Sequence, residues 1–340
     1  MANISALSSR SKSLVFVLTQ EMNEFATQKR LAPELVEIDS RHEGQRIDNF
    51  LTTYLKGVPK SYIYRVLRRG EVRVNKGRAK PTYRLQAGDR VRIPPVRRPE
   101  ATATAVPGKK LITLINGSIL YEDDGLLVLN KPAGIAVHGG SGISFGVIEI
   151  LRAARLEAPF LELVHRLDRD TSGCLIIAKK RSMLRHIHKL LREDGMEKHY
   201  QALVRGEWRD GERRVTAALR KNILQSGERV VKVEEEGKQS QTLFRPLLRW
   251  ETATLVEAIP LTGRTHQIRV HAAYLEHAIA GDDKYGDVEF NRVMQAKGLR
   301  RLFLHAASVS FTTAAGQRIS VTAPLDPALQ QVLNALGAHR

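Results

Sequence analysis

Prolines cut this chain in two. Pro94-Pro95, Pro99 and Pro107-Gly108 flank an Ala/Thr stretch. Proline fixes its own φ, has no amide hydrogen to donate and biases its predecessor away from helix. Such a run makes a semi-stiff tether rather than part of a core. Two domains are therefore expected, over 41–98 and 110–330, joined by a linker over 99–109. The charge follows that division. Residues 41–98 hold 16 Lys/Arg against 4 Asp/Glu, a net +12 of the +18 carried by all 340 residues. Such a charge asks for a polyanionic partner, nucleic acid before an anionic membrane. No apolar stretch approaches the roughly 20 residues needed to span a bilayer, and no membrane partner is expected. The single cysteine, Cys174, rules out an intrachain disulfide and a zinc cluster built on cysteines. It lies in an apolar run and reads as a small core residue. A cytoplasmic monomer is expected.

Residues 1–40 are expected to be an extension without stable structure. No acid precedes Glu21, and Arg10, Lys12 and several serines fall in the first twenty positions. The apolar run Leu14-Val15-Phe16-Val17-Leu18 is too short for a secretory core and lacks a cleavage site. An acid-poor, Arg/Ser-rich start has a weak likeness to an organelle transit peptide. A disordered tail, or an upstream start codon with Met22 as the first residue, fits the composition better.

In the basic module Ile47, Phe50, Leu51, Tyr54 and Leu55 recur at helical spacing. A second helix is expected with Ser61 as its cap, Ile63, Val66 and Leu67 inward, and Gly70 as its stop. Glu71-Val72-Arg73-Val74 alternates, Asn75-Lys76-Gly77 offers a turn, and Val91-Arg92-Ile93 reads as a closing strand. Arg65, Arg68, Arg69, Arg73 and Lys76 are the candidate RNA contacts. A solvated basic face is the plain alternative, and the charge density favours RNA.

The second domain is rich in short strands, at residues 126–129, 175–177, 202–204, 253–256 and 319–321, with helical spacing over 147–154 and 183–191. There is no fixed-period repeat and no βαβ alternation with a Gly-rich dinucleotide loop. Strands with a few helices mean an α+β fold with a mostly antiparallel mixed sheet. Chemistry concentrates in His165-Arg166-Leu167-Asp168-Arg169-Asp170-Thr171-Ser172-Gly173. The apolar runs 160–164 and 174–178 on either side read as buried strands. Asp168 is expected on a fixed turn between them, in a cationic pocket between Arg166 and Arg169. An aspartate flanked by arginines is more often an ordinary surface turn.

The stretch 165–173 nevertheless resembles the signature of the RluA-type RNA pseudouridine synthases. Further pieces in the same order resemble that family: Leu129-Asn130-Lys131-Pro132-Ala133-Gly134 with His138-Gly139-Gly140, then Lys198-His199-Tyr200-Gln201-Ala202. Thr262 through His271 (TGRTHQIRVH) and Gly281-Asp282-Asp283-Lys284-Tyr285-Gly286 complete the set. Gly57-Val58-Pro59-Lys60-Ser61, the stretch 141–146 and the stretch 221–229 are most similar to the branch that acts on large-subunit ribosomal RNA. The basic module resembles the S-four RNA-binding domain, first described in a small-subunit ribosomal protein. The resemblance implies Asp168 as the catalytic carboxylate, Arg269 as the cation paired with it, Arg166 as the residue that enters the RNA stack, and Tyr200 as the ring stacked on the extruded uracil. It implies no cofactor, no metal, and large-subunit ribosomal RNA or a pre-ribosomal particle as partner.

Competing chemistries have weaker support. His266, His271 and His305 lack the H-E-x-x-H pattern of a zinc site, and core or RNA-contacting histidines are expected instead. Asp168 and Asp170 are too close in sequence to flank a glycosidic bond from two sides, and Asp170 is expected to accept hydrogen bonds within the turn. Gly139-Gly140-Ser141-Gly142 lacks the Gly-Lys-Ser/Thr of a phosphate loop and is expected to be a flexible loop near the site. A non-catalytic ribosome-assembly factor and a base-releasing glycosylase are the functional alternatives.

Overall fold

The computed structural model describes residues 32–55, 57–96, 107–140, 144–223 and 229–337. The expectations for residues 1–31 and for most of the linker fall outside them. The chain divides into two compact units, Met1–Thr104 and Ala105–Arg340.

The first unit packs two helices against a small antiparallel sheet. Its strands are β1 (Glu34–Glu37), β2 (Arg73–Val74), β3 (Gly77–Arg78) and β4 (Arg90–Ile93), in the order β1-β4-β2-β3. Residues 34–37, expected in the unstructured extension, are instead a strand. Glu34 to Glu37 pair in register with Ile93 to Arg90 and satisfy that edge of β4. Helix α1 (Ile47–Tyr54) and helix α2 (Lys60–Arg69) bury Ile47, Phe50, Leu51, Ile63, Val66 and Leu67, as their spacing requires. Ser61 does not cap α2. Pro59 holds the cap position with φ −57°, a geometry proline presets, and Ser61 lies in the first turn. Gly70 ends the helix in the left-handed region at φ +70°. The turn between β2 and β3 needs two left-handed residues, and Asn75 (φ +49°) and Lys76 (φ +71°) supply them. Buried Asp89 keeps that turn in place. It accepts from the Asn75 amide at 2.8 Å, the Tyr83 hydroxyl at 3.0 Å and the Gln86 N–H at 2.9 Å.

The second unit is built on one ten-stranded mixed sheet. In chain order its elements are α3 (Lys109–Asn116), β5 (Ile119–Glu122), β6 (Leu126–Lys131), α4 (Val147–Ala154), β7 (Glu162–Leu163), β8 (Ser172–Ala178), α5 (Arg181–Leu190) and β9 (Met196–Arg205). Then follow β10 (Arg213–Thr216), β11 (Leu219–Ile223), β12 (Arg229–Val233), β13 (Gln241–Arg249), β14 (Ala253–Pro260), α6 (Gln267–Tyr274), α7 (Val288–Ala296), β15 (Leu304–Thr312), β16 (Arg318–Thr322) and α8 (Pro327–Ala335). The sheet runs β10-β13-β14-β9-β15-β8-β6-β5, with β16 beside β15 and β7 beside β8. β11 and β12 form a separate antiparallel pair. Only β15 and β8 run parallel among the described pairs. Of the apolar run 160–164, just Glu162 and Leu163 pair as a strand. Helix α8 continues past residue 330.

Burial follows the sheet's alternation. β6 and β8 are apolar on both faces and form a core with α4 and Ile187 of α5. Along β9, Ala202 and Val204 face a core shared with Ile268 and Ala272 of α6, and Leu203 faces the opposite core with α7 and α8. Tyr200 has the parity of Ala202, so the sheet turns its ring toward the side that carries α6.

Candidate active site

Asp168 lies on the turn that enters β8, and the Thr171 N–H closes that turn on the Asp168 carbonyl at 3.2 Å. The turn is fastened from beneath. Lys131, fully buried, ends in three carbonyls: Pro132 at 2.7 Å, Ile135 at 2.9 Å and Arg169 at 3.0 Å. The Gly134 N–H reaches the same Arg169 carbonyl at 2.9 Å. Burial, in balance with the charges of Asp170, Arg301 and Asp168, pushes the Lys131 ammonium down to about 7. At Gly173, φ is +106° and a Cβ would fall 2.2 Å from the Ala306 carbonyl oxygen. Only glycine lets β8 meet β15 there.

The cations around Asp168 differ from the expected pair. Arg169 turns to Asp170, with Nε 3.2 Å from Oδ1, and Arg166 is exposed. The groups that face Asp168 Oδ2 are Arg269 at 3.6 Å and His266 at 3.8 Å. Asp170 accepts from the Arg169 guanidinium rather than from turn amides, because the Thr171 N–H is already taken.

Arg269 sits on α6, a helix buried along most of its length. A buried guanidinium needs a carboxylate, and Asp282 supplies it with bonds of 2.7 and 2.6 Å. Asp282 is itself held by the N–H groups of Lys284 and Tyr285. Burial works to lower the Arg269 pKa, yet the hydrogen bonds and charge of Asp282, with Asp168 adding, raise it above the ordinary value. Burial works to raise Asp282, and the Arg269 pairing outweighs it and holds the carboxyl below its usual range. One Arg269 nitrogen thereby keeps its place near Asp168.

His266 precedes α6 in the left-handed region at φ +54°. Its Nδ1 is 2.8 Å from the Tyr285 hydroxyl, which accepts the Val231 N–H at 2.9 Å. The hydroxyl that accepts the Val231 N–H can donate to Nδ1 or accept from it, and either way the contact holds the ring with Nε2 toward Asp168. Burial lowers the His266 pKa, against the opposing pull of Asp168. His271 and His305 lie in other networks, with Ser240 and Thr242 and with Ser172 and Ala323 respectively. Among the described residues no group of three His, Cys, Asp or Glu is arranged to hold a metal ion.

These residues open onto a cavity of about 400 Å³ whose wall includes Arg166, Asp168, Tyr200, Arg264, His266 and Arg269. Its size lies within the roughly 300–1,000 Å³ common for small-molecule sites. Tyr200 is half-buried, and burial, then the negative charge of Asp168, pushes its hydroxyl well above the ordinary tyrosine range. The four residues singled out from sequence therefore share one cavity. The pairing of Arg269 with Asp282, the seat of Lys131 and the orientation of His266 by Tyr285 emerge only in three dimensions. The loop 139–142 lies partly outside the described residues. In the first unit Arg65, Arg68 and Arg69 are exposed on α2, and Arg73 and Lys76 are exposed on β2 and its turn. The Arg65 guanidinium stacks 4.8 Å over the Tyr62 ring.

Residues 125–274 match the family model "RNA pseudouridylate synthase", and residues 45–91 match "S4 domain". The chain is 60% identical over 307 residues to "Ribosomal large subunit pseudouridine synthase C" of Salmonella typhimurium and of Escherichia coli, covering 89% of this chain and 96% of each relative. The counterpart from Pasteurella multocida is 57% identical, over 90% of this chain and 94% of its own length. Among solved structures, "Human RNA Pseudouridylate Synthase Domain Containing 4" superposes with a TM-score of 0.57 at 25% identity, over 67% of this chain and 95% of that one.

Proposed function

We propose, since this chain belongs to the RNA pseudouridine synthase family, that it converts uridines of large-subunit ribosomal RNA to pseudouridine, with Asp168 as the catalytic carboxylate. The reaction breaks the N-glycosidic bond of a uridine, turns the uracil, and joins its carbon 5 to the same sugar carbon; carbon 5 loses a proton and nitrogen 1, freed from the sugar, gains one. No redox change occurs and no external group enters, so the chemistry can rest on protein side chains. The observation that carries the reading is the arrangement around Asp168. A carboxylate on a rigid turn faces an open cavity, with a fixed guanidinium 3.6 Å away. A carboxylate held in this way suits a nucleophile or a base. The uridine must leave its stack to reach that group. Exposed Arg166, at the cavity's edge, is suited to fill the gap that the base leaves. The Tyr200 ring offers a face for the extruded uracil. Its hydroxyl, pushed up by burial, stays protonated at neutral pH, which favours stacking over a role as phenolate base.

Ribosomal RNA as substrate follows the names of the relatives and the basic first unit, whose exposed Arg65, Arg68, Arg69, Arg73 and Lys76 suit phosphate contacts. We take the partner to be that RNA, free or in a pre-ribosomal particle, and the enzyme to act as a cytoplasmic monomer. Asp168→Asn keeps the size of the side chain and removes its charge. It is expected to abolish tritium release from RNA labelled at uracil carbon 5, with RNA affinity little changed. Near-normal release by the variant would overturn the assignment. Free uracil in place of pseudouridine would mark a glycosylase.

A further inference from the structure

We infer that Lys198 is the seat for a phosphodiester of the RNA strand beside the extruded uridine. The inference rests on the function proposed above and adds to it a ligand group and the residue that takes it. Lys198 and Tyr200 are two apart on β9, so they stand on one face of the sheet, and both line the cavity that Asp168 faces. The Lys198 side chain is half-buried, and among the described residues its ammonium makes no ion pair and no hydrogen bond. Burial lowers its pKa, and the one charge that opposes the shift is that of Asp194. Asp168 is paired with Arg269 and His266 and not with Lys198, so the Lys198 ammonium is left without a carboxylate partner in the cavity.

Of the other basic groups of the cavity, Arg166 and Arg264 are exposed to water, and Arg166 is assigned above to the gap left by the base. Arg269 gives two nitrogens to Asp282. His266 is tied to Tyr285. Arg264 donates to the Gln239 carbonyl at 3.2 Å. Lys198 keeps all three N–H donors open in a place that water only partly reaches. A desolvated ammonium is unfavourable until an anion compensates it. A uridine within an RNA strand brings one kind of anion, the phosphodiester on either side of it, and the uracil carbonyls are neutral. A cation with no carboxylate paired to it therefore matches a phosphate, and Asp168, already paired with Arg269 and His266, is left to the sugar and base. Filling this seat would anchor the backbone while the base turns.

The test uses the full-length protein and a synthetic RNA holding one target uridine. The RNA is prepared unmodified, and with a neutral methylphosphonate at the phosphate before or after that uridine. Single-turnover tritium release and binding are measured for the wild type, Lys198→Met and Lys198→Arg. Lys198→Met is expected to weaken binding on the order of tenfold while the maximal rate changes less, and Lys198→Arg to restore most of that affinity. Removing one phosphate partner should also lower the slope of log affinity against log salt by about 0.7 to 0.9. One of the two methylphosphonates should weaken the wild type as much as Lys198→Met does, and weaken that variant no further. Additive effects, or an unchanged salt slope, would overturn the seat. Should Lys198→Met fail to fold, the wild type alone decides, because indifference to both methylphosphonates excludes a phosphate at Lys198. Absence of release from the unmodified RNA by the wild type would defeat the pseudouridine reading, and the seat with it. Normal release combined with additive effects defeats the seat alone.

Discussion

Arg269 answers to one carboxylate to be held and one to be used, with exposed Asp283 3.5 Å from the nitrogen that Asp282 also takes. Asp282 is almost wholly buried and takes the fork of the guanidinium, and Asp168 faces a remaining nitrogen. Arg269→Ala strands Asp282 in the interior, and is expected to destabilise the second unit by about 3–5 kcal/mol and to remove activity. Arg269→Lys keeps the charge without the planar fork, so partial activity and a smaller destabilisation are expected. Thermal melting and single-turnover release check both, and equal, mild effects would place Arg269 outside the working site. His165 gives a second expectation. Its Nε2 accepts the Ile176 N–H at 3.2 Å, and burial, reinforced by Lys198, pushes the ring down to about 4. The unfolded ring titrates near 6.5, so the folded state binds the proton less well. Stability from this group is complete above about pH 6.5 and falls as pH drops toward 4. The decrease between pH 7 and pH 5 is on the order of 2 kcal/mol. Urea unfolding at the two pH values should show His165→Gln losing less stability than the wild type, and identical changes would count against the shift. Asp168, Tyr200 and Arg269 could be singled out from sequence because each lies in a short motif. Asp282 as the partner of Arg269 could not, because that pairing is made by tertiary packing between a helix and a later loop.

At the level of elements, the junction of β8 with β15 carries the most consequence. Gly173 has a backbone no other residue adopts cheaply, and its missing Cβ leaves room for the Ala306 carbonyl. Gly173→Ala is expected to combine backbone strain with a steric clash, destabilising by about 2–5 kcal/mol, and to shift the Asp168 turn. Circular dichroism melting together with tritium release measures it. A variant as stable and as active as the wild type would show that the strand can slide aside. Apolar β6 and β8, and the alternation in β4, are plain in the sequence because uniform burial and period two are local signals. Helix α6 is not. Gln267, Arg269 and His271 are buried beside Ile268 and Val270, so no polar face marks it as a helix. The start of α2 differs from expectation because Pro59, rather than Ser61, sets its entry, and β1 is hard to see because Glu34 and Glu37 flank only two apolar residues.

Over the whole molecule, the first unit is small, strongly basic and complete in itself, and the second holds the cavity. Replacing Arg65, Arg68, Arg69, Arg73 and Lys76 together by alanine should weaken RNA binding and flatten its salt dependence, by about 0.7–0.9 in slope for each phosphate no longer neutralised. Release from saturating RNA should change far less. An unaltered slope would show that these side chains do not meet the RNA backbone. The sheet of the first unit closes with Ile93, but that of the second cannot close until Leu304–Thr312 exists, since β15 joins β9 on one edge to β8 and β16 on the other. At roughly 5–20 residues per second, synthesis of the intervening chain takes on the order of ten seconds or more. For that interval a nascent chain owns a finished basic unit and an unassembled catalytic sheet. If the basic unit grips RNA as proposed, the chain holds an RNA before it can alter one.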